Sequence, residues 1–207
     1  MPRVRIHQHV NPLAPYYRQA PEPIRVEEVF ANPDLPLHLD LGSARGRFLL
    51  RMAKHEPAWN FLGVEIREPL VDEANRIAAE EGLGNLRYAF CNAMLWLEKL
   101  IEDIPGEQLQ MVTIQFPDPW FKKKHAKRRM VNRELVKCLA DRLKPGGRIF
   151  VQTDIEFLAG EMLDILRPED RLTEIECQHS PFAVKTEREM AVEQKILPVY
   201  RAMFERL

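Results

Sequence analysis

The chain has 207 residues, of which 45% are hydrophobic and 29% are charged, and its formal net charge at pH 7 is −1. This composition supplies the core of one soluble domain, and it excludes a membrane span because no apolar run approaches the ~18 residues that a bilayer requires. Three scattered cysteines without a CxxC pair exclude a disulfide framework and a zinc site, so we expect the cytoplasm as location and no bound metal.

The first 36 residues are the least regular part of the sequence. They hold seven of the 16 prolines and show little periodicity, so we expect an irregular N-terminal arm over 1–36, followed by a single domain over 37–207. Residues 1–21 contain Arg3, Arg5 and Arg18 and no acidic residue. This part of the arm is therefore a basic segment that the near-zero net charge conceals.

From residue 37 onward, short apolar runs alternate with helical segments of about ten residues. Glycine or proline ends several of these elements, as Gly42 does after the first strand and Pro57 after the first helix. The pattern predicts right-handed βαβ units, and hence a Rossmann-like, doubly wound α/β fold with a mostly parallel sheet and an antiparallel edge. The predicted strands are 37–41, 61–66, 86–91, 109–116, 148–153, 172–177 and 200–204. The predicted helices are 47–54, 69–81, 93–101, 133–143 and 157–166.

In a sheet of this kind, ligands bind beyond the carboxyl ends of the strands, so the residues that end strands are candidate ligand contacts. The first strand runs into Gly42, whose conformational freedom permits a sharp turn. Glu65 ends the second strand 19 residues after Gly46, which matches the ~20-residue interval of an acid that binds ribose hydroxyls. Asn92 follows the third strand, where its side chain either accepts a hydrogen bond from an adenine amino group or caps the next helix.

Asp40 indicates which nucleotide cofactor the glycine turn holds. The turn lacks the G-x-G-x-x-G spacing that binds the pyrophosphate of NAD or FAD at a helix N-terminus. A carboxylate directly before the turn would also repel a pyrophosphate, whereas it would attract a cation. Because S-adenosylmethionine carries an ammonium and a sulfonium, we expect this cofactor at the turn.

The fourth strand ends in a segment that combines a rigid acid, an aromatic ring and many cations. Pro117 and Pro119 fix the backbone around Asp118, and Trp120 follows with a ring on which a base can stack. A charge run is most often only a solvated surface, but this one adjoins a rigid acid at the ligand edge, which favours RNA. The cations expected to contact RNA phosphates are Lys123, Lys124, Lys127, Arg128 and Arg129.

From about residue 37 to the C-terminus, the sequence resembles the tRNA (guanine-N7-)-methyltransferases, which modify guanine 46 in the tRNA variable loop. The segments that carry the resemblance are LDLGSARGRFL, FLGVEIRE, FPDPWFKKKHAKRR, LKPGGRIFVQTD and TERE, of which the third is the most specific. The resemblance implies the seven-stranded sheet of class I methyltransferases, S-adenosylmethionine as cofactor and tRNA as partner. The sequence leaves open whether the protein is a monomer or a homodimer.

The turn and the resemblance together assign roles to single residues. Those expected to line the cofactor are Asp40, Gly42, Glu65, Asn92 and Asp118. Asp118 is also the expected catalytic residue. Those expected to contact the target guanine are Lys122, Asp154, Thr186 and Glu189. Ala44 stands where the family commonly has glycine and Asn92 where it has an acid, and both departures suggest an altered affinity for the cofactor.

Guanine N7 exposes an unprotonated lone pair, so its methylation requires alignment and an anionic environment rather than a base. We therefore expect Asp118 to orient the guanine and to stabilise the positive charge that develops on the purine. Two alternatives stay open. One is another RNA base methyltransferase on the same fold, although those acting on exocyclic amines usually carry Asp/Asn-Pro-Pro-aromatic at the fourth strand. The other is a non-catalytic RNA-binding module, against which the retained carboxylates argue.

Overall fold

The computed structural model describes residues 10–207, so the predicted basic residues Arg3 and Arg5 lie outside the described part. The strands are β1 Leu37–Leu41, β2 Asn60–Glu65, β3 Leu86–Phe90, β4 Leu109–Gln115, β5 Arg148–Thr153, β6 Leu172–Ile175 and β7 Tyr200–Arg206. They form one seven-stranded sheet in the order β3-β2-β1-β4-β5-β7-β6. The first five strands pair in parallel and β7 is antiparallel to both of its neighbours, which confirms the predicted fold class.

The helices connect these strands and cover both faces of the sheet. Their bounds are α1 Val26–Val29, α2 Arg47–His55, α3 Glu68–Glu80, α4 Ala93–Leu100, α5 Arg133–Arg142, α6 Glu156–Leu166 and α7 Glu187–Gln194. The chain runs outward from β1 to β3 and then returns to β4 and β5 on the other side of β1. Right-handed crossovers therefore place α2 and α3 on one face and α4 and α5 on the opposite face. The strand order reverses between β1 and β4, where ligands bind in such folds.

The described part of the arm packs against the domain. It contains two short helical turns, Pro15–Arg18 and α1, and is otherwise irregular. Val26 and Phe30 are buried in the main core cluster, because the chain is held there by hydrogen bonds from Ile24 N–H to the Leu100 carbonyl and from Ala31 N–H to the Gly84 carbonyl, both of 2.8 Å. The boundary between arm and domain at residue 36 stays a prediction.

Helix α7 was absent from the sequence prediction. It begins directly after Thr186, whose side chain accepts a hydrogen bond from the Glu189 N–H at 3.0 Å. Threonine followed three residues later by glutamate is a recognised signature of a helix N-terminus, so the sequence did contain the signal.

No helix within residues 10–207 combines the length and the apolar character needed to cross a bilayer.

Candidate active site

Asp40, near the end of β1, is a carboxylate held inside the protein. It accepts hydrogen bonds from Thr113 Oγ1 at 2.6 Å and from Gln115 Nε2 at 3.4 Å, both on the neighbouring strand β4. Burial raises the pKa of Asp40 to about 6, and the charge of Glu65 contributes in the same direction. A cation beside Asp40 would relieve this excess of buried negative charge, so the residue suits a positively charged ligand.

The turn after β1 is joined to the end of β2. Gly42 and Ser43 donate their N–H groups to the Val64 carbonyl at 2.8 and 3.0 Å, and Ala44 N–H donates to Glu65 Oε2 at 2.8 Å. Ala44 has a φ of +50°, a left-handed conformation that residues with a Cβ seldom adopt. Glycine, which has no Cβ, adopts this conformation at no steric cost. The turn and the second-strand acid therefore meet, as the interval between them indicated.

The Glu65 carboxylate is held by an arginine that the sequence analysis did not single out. Arg67 donates to Glu65 Oε1 through its backbone N–H at 3.0 Å and its Nε at 2.8 Å, and to Oε2 through Nη2 at 3.0 Å. With the bond from Ala44, these contacts use about four lone-pair positions, the full capacity of a carboxylate. Ribose hydroxyls can therefore bind Glu65 only if the Arg67 guanidinium moves off the carboxylate.

The charge of Asp118 also acts on Arg67. Burial acts to lower the pKa of Arg67, but the hydrogen bonds and charge of Glu65, together with the charge of Asp118, raise it overall. The charges of Glu65, which ends β2, and of Asp118, which follows β4, thus both act on the Arg67 guanidinium.

Asn92 contacts the N-terminal arm. Its Nδ2 donates to the Pro12 carbonyl at 2.8 Å and to the Tyr17 carbonyl at 3.3 Å. Within the described residues its side chain makes no capping hydrogen bond to α4, so the capping alternative is wrong. Tyr16 reinforces the contact, since its hydroxyl donates to Glu68 at 2.6 Å. The arm therefore lies at the end of β3, beside the position expected for adenine.

The loop that carries Asp118 is held in a strained conformation. Phe116 and Trp120, on either side of it, have φ values of +51° and +43°. Arg129 holds the loop, because its Nε donates to the Pro119 carbonyl at 2.8 Å and its Nη2 to the Trp120 carbonyl at 3.1 Å. The side chain of Arg129, predicted to contact phosphate, is only 12% exposed, and its Nη1 pairs with Glu161.

The other predicted RNA contacts follow Trp120. Lys122, Lys123, Lys124 and Lys127 are exposed, the last three on a 3₁₀ helix over Lys123–Arg128. Arg128 instead lies over the Trp120 ring, with its guanidinium carbon 4.9 Å from the ring centre. The exposed positive charge of this segment therefore comes mainly from the lysines.

Three of the four residues expected to contact guanine come from two elements that meet. Asp154 follows β5 and pairs with Arg188 at 2.5 Å, and Thr186 caps α7. Glu189 is fully buried, where it accepts hydrogen bonds from Arg201 Nη2 at 2.8 Å and from Gln152 Nε2 at 3.2 Å. Thr186 and Asp154 thus lie nearer the surface, while Glu189 is enclosed by its partners.

A chain of hydrogen bonds connects Glu189 with Asp40. Gln152 donates to Gln115 Oε1 at 2.8 Å, and Gln115 donates to Asp40. Arg201 ends the chain on β7, with Nε 3.2 Å from Gln152 Oε1. Buried polar groups that satisfy one another in this way fix each other's orientation. Asp40, expected to line the cofactor, and Glu189, expected to contact guanine, are therefore parts of one network.

His38 completes the surroundings of Asp40. Its Nε2 lies 3.0 Å from Thr113 Oγ1. Because the Thr113 hydroxyl donates its proton to Asp40, His38 Nε2–H is the donor in the bond between His38 and Thr113. Burial lowers the pKa of His38 to about 3, which keeps the ring neutral. The ring stacks on Phe182, 5.3 Å away, in the segment before Thr186.

The sheet order, the glycine turn and the acids at the ends of β1, β2 and β4 define an S-adenosylmethionine-dependent methyltransferase of class I. The family described as "Putative methyltransferase" matches residues 34–202. A putative methyltransferase from Streptococcus mutans, solved in complex with SAH, has the same fold, with a TM-score of 0.55 at 11% identity over 88% of this chain and 93% of that chain.

Closer relatives define the family. A tRNA (guanine-N(7)-)-methyltransferase of Trichormus variabilis is 50% identical over 211 residues, covering 100% of this chain and 98% of that protein. Another, of Synechococcus elongatus, is 52% identical over 208 residues, covering 99% of this chain and 97% of that protein. The chain belongs to the tRNA (guanine-N7-)-methyltransferase family.

The pKa of Asp40 predicts a pH dependence of cofactor binding. A cationic cofactor favours the ionised carboxylate, so binding below pH ~6 must release a proton, and the affinity should fall by up to about tenfold per pH unit there. Calorimetric titration with S-adenosylmethionine from pH 5 to pH 7 measures this, below the titration of the cofactor's own amino group. Asp40→Asn should bind weakly without the pH dependence, and Asp72→Asn on α3 should behave as wild type. An unchanged affinity across this range contradicts the assignment.

Proposed function

We propose that this chain transfers the methyl group of S-adenosylmethionine to N7 of guanine 46 in the variable loop of tRNA, in the cytoplasm. The observation that carries the proposal is the placement of opposite charges at one edge of the sheet. Buried carboxylates end β1 and β2, and exposed lysines follow β4. The first suit a cationic methyl donor and the second suit a polynucleotide.

The residues present fit the cofactor. S-adenosylmethionine supplies an activated methyl group on a sulfonium. Asp40 offers an anionic, buried environment for a cation, and Glu65 offers carboxylate oxygens for the ribose once Arg67 is displaced. Gly42 permits the turn that brings the backbone close to a ligand, and its φ of +85° requires this residue type. Asn92 lies at the adenine end of the site, where its Nδ2 is already used by the arm.

On the guanine side, the chain needs to position a nucleophile that already has a lone pair. Asp118, fixed between two prolines, orients the base and stabilises its developing charge. Asp154 accepts from the N1–H and N2–H₂ donors of the Watson–Crick edge, with Lys122 and Thr186 beside it. Glu189 acts through the network, since Arg201 and Gln152 already occupy its oxygens. Alignment of two bound reactants contributes ~7–11 kcal/mol to such a reaction.

The test of the function is direct. The protein is incubated with labelled S-adenosylmethionine and unmodified tRNA transcript, and the digested nucleosides are identified by mass. We expect 7-methylguanosine, and a transcript with adenine in place of guanine 46 should remain unlabelled. Label in another nucleoside, or in the control transcript, contradicts the proposal.

The exposed lysines predict the salt dependence of tRNA binding. Each phosphate contact contributes ~0.7–0.9 to the slope of log affinity against log salt concentration. Replacing the three lysines of the 3₁₀ helix, Lys123, Lys124 and Lys127, by Ala should therefore reduce the slope by about 2–3. Filter binding at several salt concentrations measures it.

A matched control removes the same charge from the opposite edge of the sheet. Lys54, Lys99 and Lys144 lie near the C-terminal ends of α2, α4 and α5, which run away from the ligand edge. Their replacement by Ala should leave the slope unchanged. If both triple variants change the slope equally, the RNA contacts lie elsewhere or only the net charge matters.

A further inference from the structure

Two phenylalanines are exposed beside the candidate active site. Phe121 is 69% exposed and Phe157 is 42% exposed, and their rings contact each other with centroids 5.9 Å apart and planes inclined at 61°. Large aromatic side chains that together remain in solvent next to a functional site commonly mark a contact surface for a ligand. The reaction assigned above uses neither ring.

The pair connects the two loops that carry the candidate guanine contacts. Phe121 follows Asp118 by three residues, and Phe157 follows Asp154 by three. Because β4 and β5 are parallel neighbours, their following loops leave the sheet at the same edge, and the ring contact shows that they meet there. The pair therefore lies at the edge of the sheet where the chain leaves β4 and β5.

The Phe157 ring is held in place by Arg129. The guanidinium carbon of Arg129 lies 5.2 Å from the centre of its ring, and Arg129 is itself fixed by the Pro119 and Trp120 carbonyls. A ring fixed before binding loses little conformational entropy when a ligand stacks on it.

The charges around the pair indicate what it binds. Lys122, Lys123 and Lys124 follow Phe121 directly and are exposed. A ligand that matches both features has flat apolar faces joined to phosphates, which describes an unpaired nucleotide.

We propose that Phe121 and Phe157 form a stacking surface for an unpaired base of tRNA adjacent to the guanine that is methylated. The proposal rests on the proposed function, because it takes the substrate to be tRNA. The stacked base holds the strand at the mouth of the site while the neighbouring guanine enters it.

The experiment measures tRNA affinity and the kinetics of methylation with unmodified transcript. Phe121→Ala should weaken tRNA binding by about 5- to 150-fold, the usual range for removal of one stacked aromatic ring. The affinity for S-adenosylmethionine should not change. Phe121→Trp should restore tRNA binding, whereas Phe121→Leu, which keeps apolar cover over Phe157, should not.

Transcripts lacking one base identify the stacked nucleotide. An abasic site at one neighbour of the methylated guanine should weaken wild-type binding, and Phe121→Ala should then cause no further loss. The proposal is overturned if Phe121→Ala or Phe157→Ala binds tRNA as wild type, or if Phe121→Leu restores binding. It is also overturned if Phe121→Ala and the abasic site weaken binding independently, so that their effects multiply, whichever neighbour of the methylated guanine lacks its base. A wild-type protein that forms no 7-methylguanosine would instead contradict the proposed function, so the two failures are distinguishable.

Discussion

Asp118→Asn is expected to reduce the single-turnover rate of methyl transfer by about 10²–10³-fold, the usual effect of removing a preorganised group aimed at developing charge. The substitution keeps the shape of the side chain and the two flanking prolines, so the loop should retain its conformation. It removes the negative charge that stabilises the purine as it becomes cationic. Binding of S-adenosylmethionine should change far less than the rate.

The solvent isotope effect on the same rate decides how Asp118 acts. A carboxylate that only orients and stabilises moves no proton, because guanine N7 is already unprotonated, so the wild-type rate should be the same in H₂O and D₂O. If the rate is lower in D₂O and Asp118→Asn loses that difference, the residue acts as a base and the stated role is wrong. Asp164→Asn, an exposed carboxylate of α6, removes the same charge away from the site and should retain the wild-type rate.

The fold followed closely from the sequence because its signals are local. Strands such as β5, buried over all but its first residue, contain a short apolar run, and glycine or proline follows most of the helices within a few residues. Bounds differ from the prediction mostly by one or two residues. The exceptions are α1, in the segment expected to be irregular, and α7, since the prediction placed no element at either. The capping signal of α7, Thr186 to Glu189, was interpreted only as a substrate segment, yet one residue can serve as helix cap and as part of a site.

The site was predictable in its residue types but not in its contacts. The position of Asp40 or Glu65 at a strand end follows from the pattern, and the parallel sheet brings such ends together. The partner of Glu65 does not follow, because it depends on where the Arg67 side chain turns at the start of α3. The contact between Arg201 and Glu189 is still harder to predict, because it depends on the antiparallel pairing of β7 with β5. Non-local pairing of this kind leaves no local signature.

Arg129 illustrates why a run of cations cannot be interpreted from sequence alone. Lys127 and Arg129 look equivalent in the sequence, but Lys127 is exposed, whereas Arg129 is turned inward onto the carbonyls of the Asp118 loop. The positive φ of Trp120 makes that loop costly to hold, at ~1–3 kcal/mol for each such residue. A fixed donor that bonds two successive carbonyls offsets this cost.

Arg129→Lys is therefore expected to reduce the methyl transfer rate by about 10–100-fold, since a displacement of about 1 Å in a reacting group can cost about 10²-fold. Lysine keeps the charge but lacks the planar fork that reaches both the Pro119 and the Trp120 carbonyls. The salt dependence of tRNA binding should stay at the wild-type value. If Arg129 instead contacts a phosphate, Arg129→Lys should keep nearly the wild-type rate. Arg129→Ala should then reduce the slope of log tRNA affinity against log salt concentration by ~0.7–0.9.

Two further measurements separate positioning from loss of the fold. Arg129→Lys should bind S-adenosylmethionine with nearly the wild-type affinity, because Asp40 and Glu65, which are expected to line the cofactor, lie on β1 and β2 and not on the loop that Arg129 holds. Lys127→Ala should show the opposite pattern, with a reduced salt slope and a wild-type single-turnover rate at saturating tRNA. If Arg129→Lys retains the full rate while Arg129→Ala loses salt dependence, the guanidinium serves the RNA after all. In that case the strain of the Asp118 loop is balanced by other contacts.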